Sequence, residues 1–582
     1  MSDKWWETDP KRFLKEIAEL KQLCDEDNSF VLEPPQFKDT ELLIQGRLTL
    51  DNSEKKFLLV YPTLFPLVCP SVRPQENERW SSHQYGEGGT ICLEIGPDNW
   101  DQAKFSGLDI LRSLKSLIDG ETKRGEEMPE VASRHEETEG QKLRGSFFRF
   151  VIPEGIVATA NLPKHGDCII SSTIASETGI MWLNELPKGT VLSVPHGMKH
   201  GKSFDRDVKY FILKNPIEGV TGKDLVTVPK FARYLISEQL GEDVAAAFDA
   251  LEDGTFFLFL FEGSHPLLLR TSRDEEQTRL KVVPSTQFAH QDRTDPKTLE
   301  AFEKAKIAII GLGSVGSKVA VSLARIGVRD FILVDDEILE FGNIVRHEAT
   351  MADVSAHKVD MVGDLIHHIC PVEPIVKKER IRIGGQENPT RYERVLRDVL
   401  SADLVIDCTA SGEVFQIIAA LCSINEKPLV WGEVFAGGIG GIIGCAEPTF
   451  TPSPAVVRRA LHDYLSVQPE APYKLESERY QGGPLIADDN SVAIVANMMV
   501  FRTKQILLGE NDQNETPCWI VGFSKEWIFE QPFEIKRVPC RPEDYPKETN
   551  WGKIKNDSVL TSEERKQYDE ALKSVKVFVN AN

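Results

Sequence analysis

KIAIIGLGSVGSKVAVSLARIGVRDFILVDDE, residues 306–337, carries the clearest folding signal in this chain. An apolar strand runs into a glycine loop, which is followed by a helix and a second apolar strand, the order of a βαβ unit. Gly311 permits the tight turn, Gly313 lets a phosphate approach the backbone, and Gly316 lets the helix pack on the strand. Asp335 ends the second strand, where an acidic residue can bind ribose hydroxyls. The stretch therefore predicts a Rossmann-type nucleotide site.

A dense group of polar side chains follows in residues 337–362, EILEFGNIVRHEATMADVSAHKVDMV. The pattern D-x-E-x-x-E-x-x-N-x-x-R, followed by a lysine, resembles the adenylation domain of ubiquitin-activating enzymes and of ThiF- and MoeB-type sulfur-carrier activators. The resemblance implies that ATP adenylates a C-terminal glycine carboxylate. Asp335 would hold the ribose, and Asn343 would contact the phosphates. Arg346 and Lys358 would also contact the phosphates and stabilise charge on the departing pyrophosphate.

The segment ADLVIDCTAS, residues 402–411, resembles the strand end that carries Asp-Cys-Thr-Asp beside the magnesium ion in that family. Asp407 matches the first aspartate, so the resemblance implies that Asp407 binds Mg²⁺. Ala410 stands where the second aspartate is expected. The binding of Mg²⁺ must then fall to Asp407 or to another group.

A cysteine near the N-terminus lies beside turn residues, in GGTICLEIGPDNW, residues 88–100. Together with YPTLFPLVCPSVRP, residues 61–74, this stretch resembles the catalytic segment of ubiquitin-conjugating enzymes. The resemblance implies that Cys92 carries an acyl group as a thioester, which a thiol exchanges readily. His83 stands nine residues before Cys92, but Tyr85 occupies the place of the family's asparagine. His83 or Tyr85 must therefore support the transfer, or the acceptor chemistry differs.

An activating enzyme of this kind also needs a cysteine outside the nucleotide fold, and the C-terminal region offers two. Cys518 leads directly into an apolar strand, whereas Cys540 lies among prolines between Arg537 and Arg541. Nearby guanidinium groups lower a thiol pKa, so we favour Cys540 over Cys518 as the first acyl carrier. Four other cysteines have apolar or strand-terminal neighbours and are predicted to be core residues: Cys370, Cys408, Cys422 and Cys445.

The chain is predicted to be a multidomain α/β protein. Residues 1–125 form an α+β ubiquitin-conjugating-like domain, and residues 126–146 form a charged connection. Residues 147–292 are a mixed α/β linker domain of unknown role, and residues 293–582 form the Rossmann-like adenylation domain. In the linker domain, HGMKHGKS has the wrong glycine spacing for a phosphate loop, and His196 and His200 lack a third ligand nearby. We therefore expect a surface loop there.

Composition narrows the classes of partner. The 582 residues include 90 acidic and 68 basic side chains, a net charge of −22 that disfavours nucleic acid or an anionic membrane as a general partner. None of the ten cysteines forms a Cys-x-x-Cys pair, which argues against a zinc ribbon. The N-terminus lacks the apolar segment of a signal peptide, and no window approaches about 18 uninterrupted apolar residues. We expect a cytoplasmic protein.

A conjugating domain followed by an activating domain resembles the bacterial fusion proteins encoded beside cGAS-like nucleotidyltransferases in CBASS antiphage operons. The resemblance implies that the C-terminus of such a nucleotidyltransferase is adenylated, moved to Cys540, then to Cys92, and finally joined to a target amine. The conjugated protein could instead be a bacterial ubiquitin-like protein. The resemblance further implies a homodimer, in which an arginine of the partner chain, for example Arg293, lies at the ATP site.

Two readings from other classes stay open. An NAD-dependent oxidoreductase would share the glycine loop and Asp335. A non-catalytic scaffold is suggested by the departures from the family pattern at Tyr85 and Ala410. Tight NADH binding would favour the first reading, and the lack of any trappable thioester would favour the second.

Overall fold

The computed structural model describes most of the chain: residues 4–50, 53–78, 80–81, 83–84, 88–122, 147–152, 159, 161–175, 178–187, 190–191, 195–200, 203–214, 236–249, 252, 254–273, 278–283, 285–287, 294–435, 438–448, 450–471, 487–510, 516–540, 551–552 and 561–579. The chain divides into two compact units, Met1–Gly145 and Ser146–Asn582. Each unit is described by itself. The domain boundaries given above stay a proposal.

The first unit is an antiparallel sheet with helices before and after it in the chain. Its strands follow the order β1-β3-β4-β5, and β2 pairs with β3. Strand β3 alternates buried and more exposed side chains, which is typical of a sheet with one face on a core. The elements are α1 (Trp5–Thr8), α2 (Pro10–Glu26), β1 (Phe30–Leu32), β2 (Gln36–Lys38), β3 (Glu41–Leu50), β4 (Ser53–Tyr61), β5 (Ser71–Pro74) and α3 (Gly107–Thr122).

An ion pair connects the end of α2 with α3. The Asp27 carboxylate accepts from Lys115 Nζ at 2.5 Å and from the hydroxyl and N–H of Ser29. Burial alone raises the pKa of Asp27, but these hydrogen bonds outweigh it and lower the pKa to about 2. The carboxylate is therefore ionised at neutral pH and stabilises the junction of the two helices.

The second unit begins with a mixed sheet. Its strand order is β13-β12-β11-β10-β7-β8-β6-β14, with β9 paired to β8. Strand β11 is buried along its whole length, FFLFLF, because both of its faces are covered. The elements are β6 (Phe148–Ile152), β7 (His165–Ala175), β8 (Thr178–Leu186), β9 (Thr190–Val191), α4 (His196–His200), β10 (Phe204–Leu213), α5 (Glu242–Asp249), β11 (Phe256–Phe261), β12 (Leu267–Arg273), β13 (Thr278–Val282) and β14 (Ser285–Gln287).

The surface loop predicted for HGMKHGKS is wrong for its first residues. His196–His200 forms the short helix α4. Its first two N–H groups donate to the carbonyls of Pro371 and Cys370, at 2.7 and 3.0 Å. The segment is therefore packed against the end of a helix 170 or so residues further along the chain.

The rest of the second unit is the predicted Rossmann-like domain. Strands β17, β16, β15, β18 and β19 are parallel and adjacent in that order, and β20, β21 and β22 continue the sheet antiparallel. The elements are α6 (Pro296–Lys304), β15 (Lys306–Ile310), α7 (Ser314–Ile326), β16 (Asp330–Val334), α8 (Lys358–Ile369), β17 (Ile375–Glu379), α9 (Pro389–Leu400), β18 (Leu404–Asp407), α10 (Gly412–Ile424), β19 (Leu429–Phe435), β20 (Gly440–Ala446), α11 (Pro454–Ser466), α12 (Asp489–Leu508), β21 (Cys518–Gly522), β22 (Ile535–Val538) and α13 (Ser562–Val579).

The order of the strands in this sheet predicts where a ligand binds. The chain moves outward from β15 to β16 and β17, then returns to the other side of β15 with β18 and β19. Such a reversal opens a crevice at the carboxyl ends of the central strands, where open α/β sheets bind ligands. Strand β15 contributes side chains to a separate hydrophobic core on each face of the sheet. Ile307 and Ile309 pack on one side, and Ala308 and Ile310 pack on the other.

Helix α12 completes one of these cores. It packs against α7, β19 and β20, and it comes close because two strand positions there are glycine. A side chain at Gly432 would meet Met499, and one at Gly441 would meet Val495, at 2.5 and 2.3 Å. Among the described residues, α12 is the one helix with the length and composition to cross a membrane, and half of it is buried inside this domain.

Candidate functional site

A cavity of about 270 Å³ lies at the carboxyl ends of β15, β16 and β18. It occupies the crevice that the strand order predicts. The polar and glycine positions that line it include Gly311, Gly313, Asp335, Glu337, Lys358 and Thr409. The structure thus brings together residues from three separate segments that the sequence assigned to one nucleotide site.

At two glycines of the loop a side chain would clash with the backbone, and at the third there is space for one. Gly311 has a φ of +80°, and a Cβ there would meet the Thr409 backbone at 3.0 Å. A Cβ on Gly316 would lie 1.9 Å from the Gly311 carbonyl oxygen, so helix and loop touch directly. Gly313 caps the start of α7 without a side-chain hydrogen bond, and apart from its chain neighbours no atom of the described residues would lie within 4 Å of a Cβ there. The N–H groups at the start of α7 can therefore face an anion.

Asp335 is held in place by the loop it faces. Its two carboxylate oxygens accept from the backbone N–H groups of Leu312 and Glu337, at 2.6 and 2.8 Å. Burial raises its pKa, and these two hydrogen bonds oppose the rise. Each carboxylate oxygen keeps a second lone pair, so Asp335 can still accept hydroxyl groups of a ligand.

Lys358 is the first residue of α8, and its side chain is almost fully buried. Its ammonium group forms an ion pair with the Glu337 carboxylate, whose side chain is 67% exposed. A buried ammonium group needs a negative partner. Because Glu337 can turn to solvent, a ligand phosphate can take its place beside Lys358.

Asp407 ends β18 and is buried. Its Oδ1 accepts from the N–H and the hydroxyl of Thr409, at 2.9 and 2.6 Å. Burial raises the pKa of Asp407, while these hydrogen bonds and the Arg458 charge lower it. Asp407 does not line the cavity, but the next residue, Cys408, does. One carboxylate beside a phosphate site fits the oxygen ligands that Mg²⁺ uses.

Two predicted phosphate ligands lie outside this cavity. Asn343 ends a short 3₁₀ turn, Phe341–Asn343, and its side-chain oxygen accepts from the Glu340 N–H at 2.9 Å. Arg346 donates to the Ala487 carbonyl at 3.3 Å. Neither residue lines the cavity. Their contact with the phosphates therefore stays a prediction.

In the first unit, Cys92 and His83 are neighbours through the backbone. The Cys92 N–H donates to the His83 carbonyl at 2.6 Å, and Gln84 forms a β-bridge with Ile91. The Cys92 thiol is half-buried rather than enclosed. Tyr85, which stands in place of the family's asparagine, lies outside the described residues.

The two C-terminal cysteines differ in access. Cys518 is fully buried opposite Val538 in the β21–β22 pair, and burial raises the pKa of its thiol far above the ordinary value. Cys540 follows β22, is half-buried and packs against the core with one side. Arg537 is exposed beside it, and Arg541 lies outside the described residues. An incoming acyl group can therefore reach Cys540 more easily than Cys518.

The four cysteines predicted to be core residues pack on a core, but the sequence overlooked two polar residues of the cavity. Cys370, Cys422 and Cys445 are buried, and Cys408 packs against the core and also lines the cavity, because it lies just past the carboxyl end of a parallel strand. Burial still raises the pKa of its thiol. Glu337 had been part of the quoted motif without a role. Arg382 also lines the cavity, and its position after β17 is the signal that could have found it.

Comparison with known proteins identifies this part of the chain. Residues 285–531 match the ThiF family. The chain is 31% identical over 139 residues to the "ATP-dependent ubiquitin transferase-like protein Cap2" of Enterobacter hormaechei subsp. hoffmannii, a match of 24% of this chain and 22% of Cap2. It is 29% identical over 159 residues to protein y4oA of Sinorhizobium fredii, 25% of this chain and 26% of that protein.

The comparisons extend to activating enzymes of animals and to one group of crystal structures. Ubiquitin-like modifier-activating enzyme 5 of Drosophila mojavensis is 30% identical over 184 residues, which are 30% of this chain and 45% of that enzyme. A crystal structure of E. coli MccB with AMPCPP and MccA covers 42% of this chain and 67% of MccB, with 16% identity and a TM-score of 0.33. The matches thus span about a quarter to a half of the length of these curated relatives.

Residues 285–531 therefore match the ThiF family, and the parallel sheet, the glycine loop and the cavity lie within this region. The predicted likeness to ubiquitin-activating enzymes is confirmed by the matches with Cap2 and with ubiquitin-like modifier-activating enzyme 5.

Proposed function

We propose that this chain is an ATP-dependent protein-conjugating enzyme. It adenylates the C-terminal glycine of a partner protein, passes the acyl group through two cysteines and joins it to a target amine. The observation that carries the proposal is the cavity in which the glycine loop, Asp335 and Lys358 meet at the carboxyl ends of the parallel strands. The ThiF match over the same residues supports it.

The adenylation step uses the groups that line the cavity. Asp335 accepts the ribose hydroxyls, and the N–H groups at the start of α7 and the Lys358 ammonium hold the phosphates. A glycine carboxylate oxygen attacks the α-phosphorus, a new P–O bond forms, and the bond to pyrophosphate breaks. Lys358 offsets the negative charge that develops on the leaving pyrophosphate. Asp407 would hold Mg²⁺, which neutralises phosphate charge.

In this proposal, the loop that carries Arg346 and Asn343 rearranges when ATP binds, so that both side chains contact the phosphates. Both lie in the segment after β16, which contains two short 3₁₀ turns, Phe341–Asn343 and Met351–Asp353, joined by a loop. A loop of this kind can rearrange around a ligand at a lower cost than a helix or strand. Removal of the Arg346 guanidinium should then lower adenylation without changing the fold.

Three acyl transfers follow. The Cys540 thiolate attacks the carbonyl carbon of the acyl-adenylate, AMP leaves, and a thioester forms. The Cys92 thiolate then attacks this thioester and releases the Cys540 thiolate. A target amine finally attacks the Cys92 thioester, loses a proton and releases the Cys92 thiolate. His83, held beside Cys92 by the backbone, is the residue that supports this last attack.

The partner of this proposal is a protein that ends in glycine. A cGAS-like nucleotidyltransferase fits the likeness to CBASS fusion proteins, and a bacterial ubiquitin-like protein would undergo the same chemistry. In this reading, residues 1–125 are the conjugating domain, residues 147–292 the linker domain and residues 293–582 the activating domain. The enzyme acts in the cytoplasm, where ATP and reduced thiols are both present.

The adenylation domain is proposed to act as a homodimer. The segment after β16 exposes four large apolar side chains within 14 residues: Ile338, Phe341, Val345 and Met351. Such a group is costly to leave in water and suits an interface with a second copy. Arg293, suggested as the partner-chain arginine, lies outside the described residues. Sedimentation should show a dimer for the wild type and for Leu14→Glu, an exposed apolar position elsewhere, and a monomer for Phe341→Glu.

ATP–pyrophosphate exchange tests the proposed function. Exchange in the wild type should require ATP, Mg²⁺ and a partner that keeps its terminal glycine, and a partner without that glycine is the control. Lys358→Ala should lower the exchange rate by about 10² or more, the usual effect of removing a charge-stabilising donor. Arg346→Ala should lower it as well. Tight NADH binding together with no exchange would instead favour an oxidoreductase.

A non-reducing gel tests the relay. With Mg-ATP and the partner, Cys92→Ala should keep a reducible adduct on Cys540 and fail to deliver product. Conjugation by Cys92→Ala at the wild-type rate would show that this thiol is structural. A wild-type chain in which no cysteine forms a reducible adduct would support a scaffold.

A further inference from the structure

Three histidines converge where helix α4 meets the end of helix α8. His196 and His200 are the first and last residues of α4, and His367 lies in the last turn of α8. One ring nitrogen from each lies within 4.8 Å of those of the other two. The His196 Nε2 and the His367 Nδ1 are 2.9 Å apart, and the rings of His200 and His367 stack at 4.6 Å.

The backbone fixes this arrangement. The His196 and Gly197 N–H groups donate to carbonyls at the end of α8. Gly197 has no room for a side chain, because a Cβ there would lie 2.2 Å from the His368 carbonyl oxygen. Residues four apart on a helix share a face, so His196 and His200 both point toward His367. The cluster is therefore built into the packing of two elements that are far apart in the sequence.

The surroundings favour the neutral form of His200 and of His367. Burial lowers the pKa of His200 and of His367, and the neighbouring histidines and Lys378 lower both further. Asp364 opposes this effect, but its carboxylate is also paired with Lys378 Nζ at 3.0 Å. Neutral imidazoles keep the lone pair that a metal ion needs.

We propose that His196, His200 and His367 bind one divalent transition-metal ion of the zinc type. Three imidazole nitrogens with a fourth position open to water form a known Zn²⁺ ligand set. Hard cations such as Mg²⁺ and Ca²⁺ require mainly oxygen ligands, which these three side chains do not supply. With metal–nitrogen bonds of about 2.0–2.1 Å, the ligand nitrogens lie about 3.3 Å apart, so small ring rotations complete the site.

Asp364 supports the site from outside. Its Oδ1 lies 3.9 Å from the His200 Nε2. A carboxylate next to a metal-bound histidine orients the ring and increases its basicity. The ion then joins the linker region, through α4, to the helix that carries Lys358 at its other end. The site is independent of the conjugation reaction proposed above.

Metal binding is measured on the untagged full-length chain, because an affinity tag of histidines would bind the same ions. After treatment with a chelator and its removal, Zn²⁺ is titrated in competition with a chromophoric chelator. The expected result is one ion per chain for the wild type. His367→Gln and His200→Gln should each weaken the affinity by about 10² or more, since even an outer partner is worth about 10–100-fold.

The matched control is His265→Gln, which changes an exposed histidine in the same region outside the cluster. It should bind Zn²⁺ like the wild type. Zn²⁺ should also raise the unfolding temperature of the wild type and of His265→Gln but not of His367→Gln, and without metal all three should unfold alike. Co²⁺ in place of Zn²⁺ should give the visible absorption of a four-coordinate ion in the wild type.

Two results would overturn the proposal. One is a wild-type chain that binds no Zn²⁺ at micromolar concentration. The other is binding that His200→Gln, His367→Gln and His265→Gln all retain or all lose together.

Discussion

Two glycines of the nucleotide loop allow ligand contact to be separated from packing. Each is changed to alanine, which adds one methyl group. At Gly313 the methyl would meet no described atom within 4 Å apart from its chain neighbours, and at Gly316 it would meet the Gly311 carbonyl oxygen at 1.9 Å. The same substitution therefore tests ligand contact at Gly313 and packing at Gly316.

Gly313→Ala should keep the fold but bind ATP more weakly. The cap position has a φ of −70°, which alanine adopts. Its effect on stability should be small, because the loss of a good helix cap is offset by a less flexible unfolded chain. The methyl group lies where a phosphate approaches, and losing one charge-assisted hydrogen bond costs about 1.5–3 kcal/mol. ATP affinity should therefore fall by roughly 10–100-fold.

Gly316→Ala should lose stability first. A backbone oxygen cannot turn aside as a side chain can, so loop and helix must separate to relieve the 1.9 Å contact. Overpacking of this kind costs about 1–3 kcal/mol or more, and the gain of about 1 kcal/mol in helix propensity offsets part of it. The unfolding temperature should fall by several degrees.

Thermal unfolding and ATP–pyrophosphate exchange measure the two effects on the same samples. Wild-type ATP affinity in Gly313→Ala would refute the reasoning, because no phosphate would then approach this position. Wild-type stability in Gly316→Ala would show that the tight contact of loop and helix is not real.

Three further outcomes are expected. Cys540→Ala should exchange pyrophosphate but carry no reducible adduct, whereas Cys518→Ala should keep the adduct because its thiol is buried; the reverse result would make Cys518 the first carrier. Ala410→Asp should lower the Mg²⁺ concentration for half-maximal exchange by roughly fivefold, or about 1 kcal/mol, compared with Ala410→Asn, since its φ of +53° suits aspartate or asparagine; no difference between the two would remove this position from the metal site. Asp27→Asn should destabilise the first unit at pH 7 by less than about 1 kcal/mol, because the Lys115 pair is partly exposed. The Asp27 pKa is lowered to about 2, so its contribution is present above the unfolded value near 3.9 and is lost as pH falls toward 2; a difference that persists below pH 2 in urea titrations would contradict this.

The fold of the adenylation domain could be predicted because its signal is local. Residues 306–337 contain both strands, the helix and the glycine turn in one continuous stretch, and each has the periodicity that its element requires. Asp335, in the same stretch, and Lys358, in the next segment, both line the cavity at the loop, while their roles stay predictions. The part of the site that could be predicted is therefore the part formed by residues that lie close together in the sequence.

Contacts between distant segments could not be predicted. His196 and His200 looked incomplete because their third partner, His367, is 171 residues from His196. Cys408 packs on the core as predicted, but its second place, in the wall of the cavity, depends on the reversal of strand order in the sheet. Neither the histidine cluster nor the cavity beside Cys408 can be derived from spacing along the chain, because both depend on which helices and strands pack together.

Helix α12 reaches its partner late in synthesis. Its partner α7 ends at residue 326, but α12 begins at residue 489. At about 5–20 residues per second, a ribosome needs roughly 10–30 s to add the residues between them. During that interval the side of α7 that packs against α12 is not yet covered by it. We expect a chain cut short before residue 489 to leave this apolar surface in water, and therefore to be bound by chaperones or cut by proteases.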